Sequence, residues 1–294
     1  MAYWLRIVCF CSLLSVVAEA ADPIQEGDRV LLVGNTFFER DTLYGHLETA
    51  IAIRYPEYDL TFRNLGWSGD NVFGESRAYF GRVEDGYKHL IRHVEELKPS
   101  VVLVNYGANA AYAGAEGLPA FIAGYHRLLE DVEKTTKRIV LLSPVPCESL
   151  GSPLPDMEAQ NERVLLYVNA IKTLADERGV GFVDLFQPVQ QLPGPLTDNG
   201  IHFTESGYRQ VGEAMAQAIT GKPRPERSDE ENILQAILKK KLLFFYHFRP
   251  QNETYLRGFR KHEQGRNAVE ITRLAELAAE QDKVIHTLLK GGVK

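Results

Sequence analysis

Five short apolar runs, separated by longer amphipathic stretches, constrain this chain more than any other feature. They lie at residues 29–33, 59–64, 101–105, 138–143 and 180–184. Runs of this length read as strands, and their continuous apolar character suits strands buried on both faces. The stretches 41–54, 86–97, 118–135, 159–178 and 205–220 read as helices between and after them. Strands alternating with helices predict an α/β fold, a five-stranded parallel sheet covered on both faces, with right-handed crossovers. In such a sheet ligands bind beyond the carboxyl ends of the strands. The residues that follow each strand are therefore the ones to read for chemistry.

The two ends of the chain stand outside this pattern. Arg6 precedes an apolar run at residues 7–17, and Ala18-Glu19-Ala20 follows it. A basic start, a short apolar stretch and a small-x-small site read as a signal peptide over 1–20 and place the protein outside the cytoplasm, secreted or periplasmic. The run is too short to span a bilayer, so no stable membrane span is expected. Cleavage would remove Cys9 and Cys11 and leave Cys147 as the only cysteine, with no internal disulfide. At the other end, residues 221–231 are polar and broken by two prolines, as a linker is. Two helices are expected beyond it, at 232–245 and 268–289. The domain reading is thus a signal at 1–20, an α/β domain at 21–220, and a linker with a helical extension at 221–294. The extension carries 15 Lys+Arg against 10 Asp+Glu, while the whole chain has a net charge of −6. A basic tail beside an acidic body can dock onto that body or meet an anionic partner instead. Its mixed signs argue against nucleic acid.

Four strand ends carry chemistry. The first strand runs into Gly34-Asn35-Thr36, the second into Trp67-Ser68-Gly69-Asp70, the third into Tyr106-Gly107-Ala108-Asn109. After the fifth strand comes Asp198-Asn199-Gly200-Ile201-His202. One chemistry fits the set. The Thr36 hydroxyl attacks a carbonyl, and neutral His202 takes its proton and later protonates the leaving group. The Gly69 N–H and the Asn109 amide donate to the developing oxyanion.

These motifs resemble the blocks of the SGNH/GDSL hydrolases, a family of esterases and acylhydrolases. Gly34-Asn35-Thr36 matches the Gly-Asp-Ser block of the nucleophile. Gly69 matches the glycine of the oxyanion hole, Asn109 in Gly107-Ala-Asn109 its asparagine, and Asn199-Gly-Ile-His202 the closing Asp-x-x-His. The Gly-Asn-Thr block and the C-terminal stretch also resemble secreted planctomycete-type members. The resemblance implies a three-layer αβα sandwich of flavodoxin-like type and hydrolysis of esters, among them acylated carbohydrates and lipids. The expected partner is a small-molecule or glycan ester, with no cofactor and no metal.

Two positions depart from the family. Thr36 stands for Ser, and its methyl crowds the attack. Asn199 stands for the Asp that orients the imidazole, a change that lowers turnover about 10⁴-fold in serine proteases. Asp198 is one residue away and offers a replacement carboxylate. Both departures also fit a protein that keeps binding, to glycans or acylated ligands, and has lost hydrolysis. Ser68 is a second candidate nucleophile. Asn35, Asp70 and Trp67 are candidate substrate contacts, the last by stacking on a sugar ring. Asn105 and Tyr106 end the third strand, where contacts to substrate are plausible. Asp184 reads as structural. His89, His93 and His126 lack paired ligand spacing, so no metal is assigned. Asn252-Glu-Thr254 fits a glycosylation acceptor in a eukaryotic secretory pathway. There is no phosphate-binding glycine motif, which argues against a nucleotide cofactor.

Overall fold

The computed structural model describes residues 23–250, 253–256, 259–263 and 267–292. The segment expected to be a signal peptide and the acceptor Asn252 lie outside them. The strands are β1 (Arg29–Gly34), β2 (Thr61–Asn64), β3 (Val101–Asn105), β4 (Ile139–Leu142) and β5 (Gly181–Val183). All pairings are parallel, and the strand order is β2-β1-β3-β4-β5. This is the flavodoxin-like order, whose topological switch point lies between β1 and β3.

Burial explains why the strands read as unbroken apolar runs. Successive side chains of a strand point to opposite faces. Val30 and Leu32 of β1 enter one core with Val101 and Leu103 of β3, while Leu31 and Val33 enter the other with Val102 and Val104. Each face needs its own apolar set, so no position is left for polar alternation. The first predicted helix, 41–54, is shortened to α2 (His46–Ala52), and a separate short helix that the pattern did not show, α1 (Thr36–Arg40), precedes it. The chain turns between them because Asp41 Oδ1 accepts from the Leu47 N–H at 3.0 Å, and Gly45 takes φ +71°. The remaining helices of the sandwich are α3 (Val83–Leu97), α4 (Gly114–Val132), α5 (Glu158–Arg178), α6 (Phe186–Gln190) and α7 (Glu205–Thr220).

The extension forms α8 (Glu230–Phe248), the short α9 (Glu253–Leu256) and α10 (Asn267–Gly291). α8 and α10 lie together beside β2, the edge strand. Ile233, Ile237, Ile285 and Leu289 enter one core, and Phe244, Phe248 and Ala278 the other. Arg63 of β2 donates to both carboxylate oxygens of Asp282, at 3.2 and 2.7 Å. Lys240 and Lys241 are 2% and 4% exposed and pair with Glu48 and Asp41. Fully buried lysines persist only when paired. The excess positive charge of the extension thus meets carboxylates of the α/β body directly. Covering an edge strand in this way also removes a site of edge-to-edge aggregation.

Candidate active site

The ends of β1, β3 and β4 and the loop before α7 converge on one cleft, and the turn after β2 meets it through Gly69. Thr36, Phe37, Arg40, Asn109, Cys147 and His202 are among its walls. Its volume is about 80 Å³, small beside a cavity of ~150 Å³ that takes up benzene.

Thr36 opens α1. Asn35 caps this helix, its Oδ1 accepting from the Phe37 N–H at 3.1 Å. Asn35 also lines the cleft, but it is 3% exposed. The turn at Gly34 is tight because a Cβ there would sit 2.6 Å from the Asn105 carbonyl oxygen. That close approach packs β1 against β3 beneath the Thr36 hydroxyl. Gly69, at φ +72°, points its N–H at Thr36 Oγ1 with a donor–acceptor distance of 3.0 Å. The donor therefore lies beside the atom that would attack, next to the position where an oxyanion would develop. Asn109 Nδ2 donates to the Asp70 carbonyl at 3.4 Å. A second amide hydrogen is left to donate within the cleft.

His202 is presented by a small hairpin-like loop in which Thr197 bridges Phe203. Glu148, from the connection after β4, anchors that loop. Its carboxylate accepts from the N–H groups of Leu196 and Thr197 and from the Thr197 hydroxyl. Nothing in the sequence pattern pointed to Glu148, because the contact spans 48–49 residues.

The orientation of Asn199 is decided by its own loop. Its Oδ1 accepts from the N–H groups of Ile201 and His202, at 3.1 and 2.9 Å. The amide nitrogen is thereby turned to His202 Nδ1, 3.0 Å away. An amide N–H can only donate, so Nδ1 accepts, and the proton of the neutral ring sits on Nε2. Asp198 does not reach the ring. It faces Arg40 at 3.7 Å and is half exposed. No hydrogen bond joins Thr36 to His202 among the described residues, although both line the cleft.

Three sequence expectations take a different form in the structure. Trp67 is 3% exposed and lies among guanidinium groups, with Arg249 4.0 Å and Arg77 5.2 Å from its ring centre. It is a packed interior ring and not a stacking platform for a sugar. Asp70 is fully buried, accepting from Arg77 Nε at 2.6 Å and the Tyr106 hydroxyl at 2.9 Å. It holds the turn from beneath and does not face the cleft. Ser68 donates its hydroxyl to Glu39, so its proton is directed to a carboxylate rather than to His202. Asn105 bonds the Ser143 carbonyl, and Asp184 accepts from the Phe186 N–H, both as supports of the strand ends. Cys147 lines the cleft, but burial pushes its thiol up, which disfavours the reactive thiolate.

Replacing Asp70 by Ala should destabilise the protein by about 3–5 kcal/mol, since Arg77 would stay buried without its carboxylate. Urea unfolding of the variant measures this. A loss below about 1 kcal/mol, the value of an exposed pair, would contradict the assignment.

The GDSL-like lipase/acylhydrolase family matches residues 32–210. The chain belongs to this family. The GDSL-type match spans the strand ends described above and stops before the extension begins. No curated protein matches the sequence. Among solved structures the fold is similar to that of a catalytic mutant of an acetylxylan esterase from Geobacillus stearothermophilus, with a TM-score of 0.55 and 18% identity over 69% of this chain and 99% of that one. It is also similar to an α/β hydrolase enzyme from the metagenome of Lake Arreo, Spain, at TM-score 0.53 and 19% identity over 68% of this chain and all of the other, 100%. The lipase/acylhydrolase from Enterococcus faecalis aligns at TM-score 0.50 and 19% identity, over 68% of this chain and 99% of that one. At these identities the likeness is one of fold. The five-stranded parallel αβα sandwich expected from the sequence is the fold of this GDSL-type protein.

Proposed function

We propose that this GDSL-type protein is a secreted ester hydrolase that removes small acyl groups, such as acetyl, from polar alcohols such as carbohydrates. The observation that carries the reading is the Gly69 N–H aimed at Thr36 Oγ1 at 3.0 Å, in a cleft shared with His202 and Asn109. Thr36 Oγ1 attacks the ester carbonyl, and its proton passes to Nε2 of the His202 tautomer that carries its ring proton on Nδ1, the tautomer that the Asn199 amide disfavours. The carbonyl oxygen becomes an oxyanion and takes hydrogen bonds from Gly69 and Asn109. Collapse expels the alcohol, which takes the proton back from His202. Water then repeats the sequence on the acyl-threonine and frees the acid. The small volume of the cleft, about 80 Å³, favours short acyl chains. The acetylxylan esterase among the similar folds supports a carbohydrate as the alcohol. Export rests on the leader-like residues 1–20, and no described helix is long and apolar enough to cross a membrane.

The hydrogen bond from Asn199 to His202 favours a second reading, a catalytically impaired protein that binds glycans or acylated ligands. The neutral ring it stabilises carries its proton on Nε2, and that nitrogen can donate to a ligand but cannot accept a proton. A screen of aryl esters and acetylated oligosaccharides separates the two. Hydrolysis of acetate esters well above that of butyrate and longer chains, and lost in His202→Ala, is the expected result. Binding of acetylated oligosaccharides with turnover indifferent to His202 would favour the second reading.

A further inference from the structure

The family match ends at residue 210, yet the extension touches the residues that flank the reacting atoms. Arg249 follows α8 and donates through Nη1 to Glu39 Oε1. The other oxygen of Glu39 accepts from the Ser68 hydroxyl. Glu39 lies on α1, one turn after Thr36, and Ser68 is the neighbour of Gly69. The same guanidinium sits 4.0 Å from the centre of the Trp67 ring, and Phe248 meets that ring edge-on at 6.2 Å. Both partners of the 3.0 Å contact between Gly69 N and Thr36 Oγ1 are therefore held from the extension. α1 has five residues, too few to be rigid by itself. At its far end Lys241 pairs with Asp41, which adds a second tie from α8.

We propose that Arg249 is a positioning residue that sets the distance between the nucleophile helix and the oxyanion turn, so that the extension completes the active site. The assignment rests on the esterase reading given above for its kinetic effect, but not for its structural one. A guanidinium suits the task because it can stack on the indole and bond a carboxylate at once, which an ammonium cannot.

The test uses the full-length chain with Trp4→Phe, which leaves Trp67 as the only tryptophan. Arg249→Ala, Arg249→Lys, Glu39→Gln and Lys290→Ala are compared for kcat and KM on an aryl acetate, for acrylamide quenching of Trp67, and for hydrogen exchange at the Gly69 amide. Displacing a donor by about 1 Å lowers turnover on the order of 10²-fold. Arg249→Ala should show that fall in kcat with KM little changed, a more readily quenched Trp67 and faster exchange at Gly69. Arg249→Lys should recover part of the loss. Lys290 binds Asp59 at 2.7 Å, at the opposite end of β2, and its removal should leave kcat unchanged. Native kcat and native Gly69 exchange in folded Arg249→Ala would overturn the proposal. So would an equal loss in Lys290→Ala, which would mean that docking in general is what matters. Should Arg249→Ala fail to fold, Glu39→Gln and Arg249→Lys decide by the same readouts. If the unsubstituted protein hydrolyses no ester, the esterase reading fails by itself, and the Trp67 and Gly69 readouts still decide the role of Arg249.

Discussion

Asn199→Asp should raise ester turnover by about 10²–10⁴-fold, the reverse of the loss that follows Asp→Asn in a serine protease triad. The geometry makes this a nearly isosteric change. Asn199 Oδ1 already accepts from the N–H groups of Ile201 and His202, and a carboxylate keeps both bonds. Its second oxygen would replace the amide nitrogen 3.0 Å from His202 Nδ1. That oxygen accepts, so Nδ1 becomes the protonated nitrogen, and the lone pair of Nε2 is free for the hydroxyl proton of Thr36. The carboxylate also stabilises the imidazolium formed during attack. kcat on an aryl acetate measures the gain. A folded variant with unchanged kcat would mean that tautomer choice does not limit this site. Asp198→Asn serves as the comparison, because Asp198 faces Arg40 and should change kcat little.

Thr36→Ala should reduce hydrolysis to the level of the uncatalysed reaction plus what the oxyanion donors alone supply. In a serine hydrolase, loss of the nucleophile or of its histidine removes most of the rate, and the donors retain a residual 10³–10⁴-fold over water. On the esterase reading Asn199 already lowers the wild-type rate, so the expected drop is smaller, about 10²-fold or more. Thr36→Ser should equal or exceed the wild type, since it removes the methyl group and keeps the hydroxyl. Single-turnover assays that detect the acyl-enzyme check both variants. A Thr36→Ala protein that still forms an acyl-enzyme would transfer the nucleophile role elsewhere, with Ser68 the first candidate despite its bond to Glu39.

Parts of the site were legible in the sequence for local reasons. A glycine followed by a polar residue just beyond an apolar run marks a turn at a sheet edge, and so Thr36, Gly69 and Asn109 are legible as candidates by position. The side chains that hold them were not legible. Glu148 reaches the His202 loop, Asp70 meets Arg77 and Tyr106 in the interior, and Arg249 meets Glu39 across 210 residues. Such contacts have no period and no fixed spacing. Arg40 left a weak trace, lying one helical turn after Thr36 in a segment that opens a helix. Trp67 shows the limit from the other side. An aromatic residue after a strand can face solvent or core, and the choice fell to Arg249 and Phe248 of the extension.

The sequence by itself determined the layered α/β architecture, because strands buried on both faces must be apolar throughout and that pattern is local. It also determined which residue types stand at the strand ends, including the threonine and asparagine that depart from the Ser and Asp of the family. Tertiary structure alone decided which atoms those departures set facing one another. The tautomer of His202 follows from two backbone N–H groups that take Asn199 Oδ1 and leave its nitrogen facing the ring. The place of the extension follows from buried pairs such as Lys240 with Glu48, formed between residues 192 positions apart. Hydrogen-bond direction and charge pairing depend on where atoms meet in space, and a sequence pattern records only which residues are present to meet.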